Sequence, residues 1–491
     1  MRLQDDAPDT ARVPAIAAGM GSRAVRNTAL VLSARIVSRL IALAAVIVVS
    51  YHLSAGGFGR FQTLVTYTAL TATVVDLGFN TLYIREGARH PHQISRYLGN
   101  VLSVKALLAG LGLLVLFATL RIPGLDDLLL PGFALMLTAA YSNLLRGTFY
   151  ALQRVSWEAV DIVLESALLL GLVLVGGRTG QGVAFYVWAY AASYGFSCAY
   201  FVAVLMITGM ARPRLAFDLE LLRPWFVASL PLAVTYVMTN VYFKVDVPIL
   251  QHFRSYEEVG WYSLAYKPFE ALLFLPLTMR TVIFPVMSVY YHDARDRLGV
   301  SAQKFFKALA AVGWPCTVGI VILAPEITSA LHFYPQSAAA LRILALGIVV
   351  MFVDNTFIAA LNAMDRQLLY AGVVSSAFVV NVGVNLVLIP HWGYLGASWA
   401  TVLTEVYLAS VGWLLLARLG EVLPVFRLTG RIVLAGVIMG AVLLPLQVLH
   451  GRLVAVSIGV GAVVYAAALL AVRAFDAEEI GLARRALRGT A

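Results

Sequence analysis

The sequence predicts an all-α polytopic membrane protein, and two features carry that expectation: an apolar composition with few charges, and about 14 separate apolar stretches of bilayer-crossing length. Of 491 residues, 60% are hydrophobic and 13% charged, against roughly 45–50% apolar and about 25% charged in soluble domains. So few charges cannot tile a water-facing surface. The formal net charge of +10 would point to nucleic acid in a soluble chain. Here it reads as the basic bias that orients membrane helices, and no nucleic-acid partner is expected. Cys198 and Cys316 both fall inside apolar stretches, which excludes a disulfide scaffold or a zinc cluster.

A helix that crosses a bilayer needs about 20 predominantly apolar residues. Such stretches centre near residues 39, 69, 107, 138, 167, 195, 234, 270, 314, 350, 378, 406, 438 and 462. The short gaps between them hold Gly, Pro and charged residues. Residues 1–26, with Pro8, Arg12, Pro14, Arg23 and Arg26, are expected as a cytoplasmic tail. The apolar run behind them is too long for a signal-peptide core and counts as the first span. Residues 27–208 then make an N-terminal six-helix bundle, and residues 209–224 a cytoplasmic linker with Arg212, Pro213, Arg214 and Pro224. Residues 225–417 make a second six-helix bundle, residues 428–473 two extra peripheral helices, and residues 474–491 a basic cytoplasmic tail. No gap is long enough to bury a soluble core.

Orientation follows from Lys and Arg in the gaps. With the N-terminus inside, Arg85, Arg89, Arg96, Arg223, Arg295, Arg297, Lys304, Arg418, Arg427, Arg431, Arg473, Arg484, Arg485 and Arg488 lie on the cytoplasmic side. Arg121, Arg178, Arg254 and Arg452 lie outside. Both termini are therefore expected in the cytoplasm.

The gap after the first span reads Ser54-x-x-x-Phe58-Gly59-x-Phe61, and the gap after the seventh reads Ser255-x-x-x-Val259-Gly260-x-Tyr262. The Ser, Gly and aromatic positions coincide at an offset of 201 residues. Each sits at the outer turn between the first and second helices of a six-helix unit. Six helices per unit keep both halves in one orientation, so the repeat is parallel, about an axis along the membrane normal. The expected arrangement is two pseudo-symmetric bundles with a substrate site between them near the midplane.

Three stretches resemble the Wzx-like oligosaccharide flippases and polysaccharide transporters of the multidrug/oligosaccharidyl-lipid/polysaccharide exporter superfamily. One is the turn Ser54 to Phe61 followed by Asp76-Leu77-Gly78. Another is Tyr242-Phe243-Lys244-Val245-Asp246, leading into Val259 to Tyr266 and Phe284-Pro285. The third is Leu388-Ile389-Pro390-x-x-Gly393-x-x-Gly396-Ala397. The resemblance covers most of residues 25–420. It implies alternating access, a V-shaped central cavity as the site between the bundles, and movement of undecaprenyl-pyrophosphate-linked sugars between leaflets. It also implies membrane lipid as surroundings, with a polysaccharide polymerase and glycosyltransferases as candidate partners.

Ionisable side chains near a bilayer centre cost about 2.5–3.5 kcal/mol on insertion scales and are functional candidates by default. Arg35 and Arg39 share a face of the first span, about 12 and 18 Å from its inner end at 1.5 Å per residue. Lys267 and Glu270 share a face of the eighth, with Lys267 roughly 16 Å from the outer end. Cations from both halves meeting in a wet vestibule would suit a pyrophosphate headgroup, because guanidinium offers a permanent charge and a bidentate fork. Arg35, Arg39, Lys267, Arg280 and Arg146 are the substrate-binding candidates, although Arg146 and Arg280 lie near inner helix ends where snorkelling is the ordinary account. Glu158, Asp161 and Glu165 form a stripe that could instead pair with Arg35 and hold helices together, and Lys267 could be neutralised by Glu270. Coupling candidates are Glu270, Asp76, Asp246, Asp354 and Glu405, with Asp76 and Asp246 expected toward water-exposed ends.

Pro231, Pro268, Pro276 and Pro315 offer bending points or static kinks. Tyr67, Tyr83, Trp225, Trp261 and Trp392 read as an interfacial aromatic belt. The outer gaps are too short for a catalytic domain, Asp126-Asp127 reads as a solvated turn, and the eight His lack ligand spacing. No His-Glu-x-x-His, Gly-x-Ser-x-Gly or Gly-Lys-Ser/Thr motif occurs. No enzyme, metal or cofactor is expected. The rivals are a multidrug or metabolite efflux antiporter of the same superfamily, which would favour an acidic cavity, and a lipid II flippase.

Overall fold

The computed structural model describes residues 12–119, 124–447, 454–476, 479 and 481, with side chains from residue 31 onward except 32, 231, 232, 234–236, 239 and 240. Pro8, Arg121, Arg452, Arg484, Arg485 and Arg488 lie outside the described residues. So do the side chains of Arg12, Pro14, Arg23, Arg26 and Pro231.

All regular structure among the described residues is helical. The first eight α-helices are α1 (Arg12–His52), α2 (Ala55–Asp76), α3 (Phe79–Arg89), α4 (Ile94–Thr119), α5 (Leu129–Ala151), α6 (Val155–Arg178), α7 (Val183–Thr208) and α8 (Leu219–Tyr242). They are followed by α9 (Asp246–Phe253), α10 (Tyr256–Leu272), α11 (Phe274–Asp293), α12 (Arg295–Ala330) and α13 (Ser337–Ala363). The last are α14 (Gln367–Arg418), α15 (Val425–Leu446) and α16 (Val454–Ala471). Helix is the form that satisfies every backbone donor and acceptor within one segment, which lipid demands.

Among the described residues eleven helical stretches are long and apolar enough to cross a membrane, so the chain is a multi-pass membrane protein. Each expected span centre falls inside a helix. The 52 residues of α14 would extend about 78 Å at 1.5 Å per residue, more than twice a bilayer core. The element is in fact broken at Gly393, whose φ of 56° and ψ of −134° are non-helical. Its two halves account for the centres at 378 and 406. The helices α2 and α8, at 22 and 24 residues, fall outside the eleven yet have the length to cross.

The break in α14 is held by one neighbouring turn. Arg254 donates from Nη2 to the Pro390 carbonyl at 2.7 Å and from Nε to the Ile389 carbonyl at 3.3 Å. Glu258 accepts the Tyr394 N–H at 2.9 Å. A cation thus meets the carbonyl end of one half-helix and a carboxylate the N–H end of the next, as both dipoles favour. Any side chain at Gly393 would run into that Glu258 carboxylate.

The chain divides into two compact units. One comprises Met1–Val48 and Thr71–Val234, the other Val49–Leu70 and Thr235–Ala491. In the first, α5 packs on α7 and α3, and α6 on α7. In the second, α13 is the central helix, contacting α10, α11, α12 and α14. There α15 and α16 pack on α12 and on each other through Leu323, Met439, Leu443 and Tyr465. The opening part of α2 belongs to the second unit, although the sequence runs through it on the way to the first. Proline marks the discontinuity between α10 and α11, where Pro276 follows the junction at Leu273 by three residues.

Candidate functional site

In the first unit the charges expected inside the membrane are paired. Arg35 on α1 meets Glu158 on α6 at 3.0 Å, with their side chains 47% and 3% exposed. Tyr150 at the end of α5 hydrogen-bonds both partners, receiving from Arg35 and donating to Glu158. One turn along α1 and about two along α6, Ser38 and Ser166 join the same two helices. Arg39 is exposed and forms no ion pair among the described residues.

The acidic stripe on α6 therefore divides between two cations. Arg146 on α5 takes Asp161 at 3.3 Å and Glu165 at 2.8 Å, and Glu165 also accepts the Ser197 hydroxyl from α7 at 2.8 Å. This corrects the snorkelling expectation for Arg146. Its guanidinium is turned into the α5–α6–α7 interface, 5.9 Å from the centre of the Phe201 ring.

Asp76 is likewise not at a wet end. It is buried and bound by Lys105 on α4 at 2.6 Å, with the lysine also donating to the Ala140 carbonyl at 3.2 Å. Lys105 is the most consequential residue that sequence reading passed over. The available signal was a single lysine in the middle of an apolar span, which is a functional or structural flag wherever it occurs. Two members of the expected aromatic belt also lie inside the unit. Tyr83 is fully buried and hydrogen-bonded to Thr148 at 2.8 Å, and Trp225 packs on Tyr97.

The second unit is arranged differently. Lys267 and Glu270 pair at 3.1 Å within α10, the local neutralisation that their spacing allowed. Asp246, also expected near water, is buried at the start of α9, where the Tyr262 hydroxyl donates to it. That hydroxyl lies 3.2 Å from Thr401 on α14. Glu405 on α14 is buried and accepts a hydrogen bond from Tyr242 at 3.2 Å. Asp354 on α13 is buried and within electrostatic range of Glu405 and Arg280. Among the described residues no Lys or Arg forms an ion pair with Asp246, Asp354 or Glu405. The tyrosines were not anticipated, because a hydroxyl at the end of an aromatic ring gives no pattern that separates a carboxylate partner from an interface anchor.

Of the five cationic candidates, Arg35, Arg146 and Lys267 are thus engaged by carboxylates, while Arg39 and Arg280 form no such pair among the described residues. Such an arrangement can bind an anion through the exposed guanidinium faces. Its buried carboxylates can hold a proton or be held by a hydroxyl.

The family model described as polysaccharide biosynthesis protein matches residues 24–291, and a second model, MatE, matches residues 231–387. No curated protein matches the chain by sequence. Its fold is similar to that of lipid II flippase MurJ in an inward closed conformation, at 14% identity and a TM-score of 0.72, covering 90% of this chain and 98% of that one. It is also similar to an inward-facing multidrug resistance MATE family transporter, at 14% identity and a TM-score of 0.61, covering 77% and 93%. A MOP superfamily transporter from Pyrococcus furiosus aligns at 16% identity and a TM-score of 0.52, covering 80% and 94%. These relatives are transporters and flippases, not enzymes. With its model matched over more than half of the length, the chain belongs to the polysaccharide biosynthesis protein family, within the multidrug/oligosaccharidyl-lipid/polysaccharide exporter superfamily.

Proposed function

We propose that the protein flips a lipid-linked oligosaccharide, an undecaprenyl-pyrophosphate sugar, from the cytoplasmic to the outer leaflet of the plasma membrane by alternating access. The observation that carries this reading is the family match over residues 24–291. The charges lend narrower support than their number suggested, because three of the five cations already have carboxylate partners. Arg39 and Arg280, and the half-exposed guanidinium of Arg35, are the groups with capacity left for a pyrophosphate. The excess of Lys and Arg in alternate gaps puts both termini in the cytoplasm. Asp246 and Glu405 are the coupling candidates best insulated from cations, and Asp354, within electrostatic range of Arg280 but not paired with it among the described residues, is the next. Asp76 and Glu270, each held by a lysine, are weaker ones.

The test is surface polysaccharide in cells that depend on this chain alone. Arg39→Ala is expected to lower it at least tenfold with the protein inserted at normal abundance, and Arg39→Lys to restore much of it. Undiminished polysaccharide in Arg39→Ala would remove the anion-binding role. Arg35→Ala is a poorer probe because it strands a buried Glu158 carboxylate. A lipid II cargo is the second reading, favoured by the fuller coverage of the MurJ fold, and rescue of cells depleted of their lipid II flippase would select it.

A further inference from the structure

The segment that leaves α7 is strapped to α4. Gly209 ends α7 at a φ of 66°, and residues 211–218 then run along α4 without forming a helix of their own. Their backbone is fastened at three donors. The Arg212 N–H donates to the Ser95 hydroxyl at 3.1 Å, and the Asp218 N–H to the Asn100 Oδ1 at 2.6 Å. Between them the Ala216 N–H is shared by the Gly99 carbonyl at 3.3 Å and the Ser103 hydroxyl at 3.1 Å. Gly99 permits this approach, because a methyl group there would overlap the Arg214 carbonyl oxygen. Arg96 completes the attachment through its ion pair with Asp218. All of these residues belong to the first unit.

The side chains of the strap are sorted against size. Ala211 and Leu222, near its two ends, are buried, whereas Leu215, Phe217 and Leu219 are 74%, 57% and 67% exposed. Those three alternate with Ala216 and Asp218, which lie against Gly99 and Arg96 of α4. That is the period of an extended chain with one face turned outward. Arg212, Arg214 and Arg223 are exposed beside this face and form no ion pair among the described residues. Against them stand only Glu220 and the Asp218 that Arg96 already holds.

Depth decides what the outward face meets. At 1.5 Å per residue the 26 residues of α4 extend about 39 Å, about 9 Å more than a hydrocarbon core. With Thr119 at one boundary, the other falls near Gly99 and Asn100, which hold the strap. Non-helical backbone at that level needs its polar groups satisfied by protein, and α4 satisfies them. Exposed apolar side chains continue on either side of the strap, with Met206 and Ile207 at the end of α7 and Phe226 and Val227 on α8. We infer that the strap is a binding surface for anionic phospholipid. Leu215, Phe217 and Leu219 enter the acyl boundary, while Arg212, Arg214 and Arg223 hold headgroup phosphates. The excess of cations in this gap makes the leaflet the inner one. A soluble protein would have to reach a face that lies level with the lipid rather than beyond it. The surface serves whatever cargo the protein carries.

The test uses the full-length chain with Cys198 and Cys316 replaced by Ser. Phe217→Cys carries a nitrobenzoxadiazole label, in nanodiscs of phosphatidylcholine and phosphatidylglycerol in a two-to-one ratio. Phosphatidylcholine with a doxyl group high on its acyl chain is expected to quench the label at least twofold. Doxyl-phosphatidylglycerol at equal mole fraction should quench at least twofold further. Replacing Arg212, Arg214 and Arg223 together by Gln is expected to abolish the advantage of the anionic lipid and to leave quenching by the neutral one. A label that neither lipid quenches would mean that Phe217 faces water or a soluble partner, and would overturn the membrane face. Equal quenching by the two lipids with the arginines in place would overturn the selection of anionic headgroups. Leu215→Cys, two residues earlier on the same face, repeats both readings, so that a strap displaced by one label does not decide the result.

Discussion

The two units hold their most deeply buried carboxylates in different ways, although the second also carries a shielded ion pair, Lys307 with Glu479 at 2.6 Å. In the first, each buried carboxylate has a cation: Glu158 has Arg35, Asp161 and Glu165 share Arg146, and Asp76 has Lys105. In the second, Asp246 and Glu405 rely on the hydroxyls of Tyr262 and Tyr242. A buried ion pair contributes little net stability, because desolvation offsets attraction, yet removing one partner leaves a naked charge and costs about 3–5 kcal/mol. A carboxylate held by a neutral hydroxyl can be replaced by its amide and keep an acceptor in place. Charge substitutions should therefore break the first unit and spare the fold of the second.

The largest effect is expected at Lys105. Its side chain is 2% exposed and that of Asp76 7%, so Lys105→Met strands a carboxylate in a site that water does not reach. The expected loss is about 3–5 kcal/mol, seen as a large drop in the unfolding temperature of detergent-solubilised protein and in its monodisperse fraction. Adding Asp76→Leu should recover most of that loss, since an apolar pair of similar volume is often neutral or better. A single variant as stable as the parent would erase the contrast between the units.

A smaller effect is expected in the second unit. Glu405→Gln keeps an amide oxygen for the Tyr242 hydroxyl and exchanges a charged hydrogen bond for a neutral one, a difference of about 1 kcal/mol. Asp161→Asn in the first unit removes half of the carboxylate pair around Arg146 and should cost more. The two unfolding temperatures, measured side by side, rank the units directly. If Glu405→Gln proves the more damaging, the hydroxyl-held carboxylates are as structural as the ion pairs.

Much of this architecture was legible in the sequence because hydrophobic length is a one-dimensional signal. Each span centre required only a count of apolar residues, whereas Pro390 and Gly393, read only as part of the family resemblance, turn out to sit at the break in α14. Partner choice was less legible. The residues Glu158, Asp161 and Glu165 were visible as one stripe, and Arg35 does reach the first of them, but Arg146 takes the other two. Which cation faces which carboxylate depends on the rotation of α5 about its axis. A membrane helix hides that rotation, since side chains facing lipid and side chains facing protein are equally apolar. The same ambiguity put Asp76 near water when α4 covers it with Lys105.

The smallest effect is expected where a charge pair of the first unit lies in water. Asp218, in the segment before α8, is held by Arg96 and accepts the N–H groups of Glu220 and Leu221 at 3.1 and 3.3 Å, capping that helix. The hydrogen bond from the Arg96 guanidinium, more than any other influence, keeps the Asp218 carboxyl below its ordinary range. A carboxyl that titrates lower in the folded than in the unfolded chain stabilises the fold fully above the unfolded value. That contribution disappears as pH falls through the lowered folded value, so alkaline conditions add nothing. Asp218→Asn keeps the cap and removes the charge. It should unfold slightly earlier than the parent at neutral pH, match it in acid, and approach it as salt screens the exposed pair. A gap that persists in acid or in high salt would mean that the exchange disturbs more than the charge, and that solvent exposure is not what separates this pair from the buried ones.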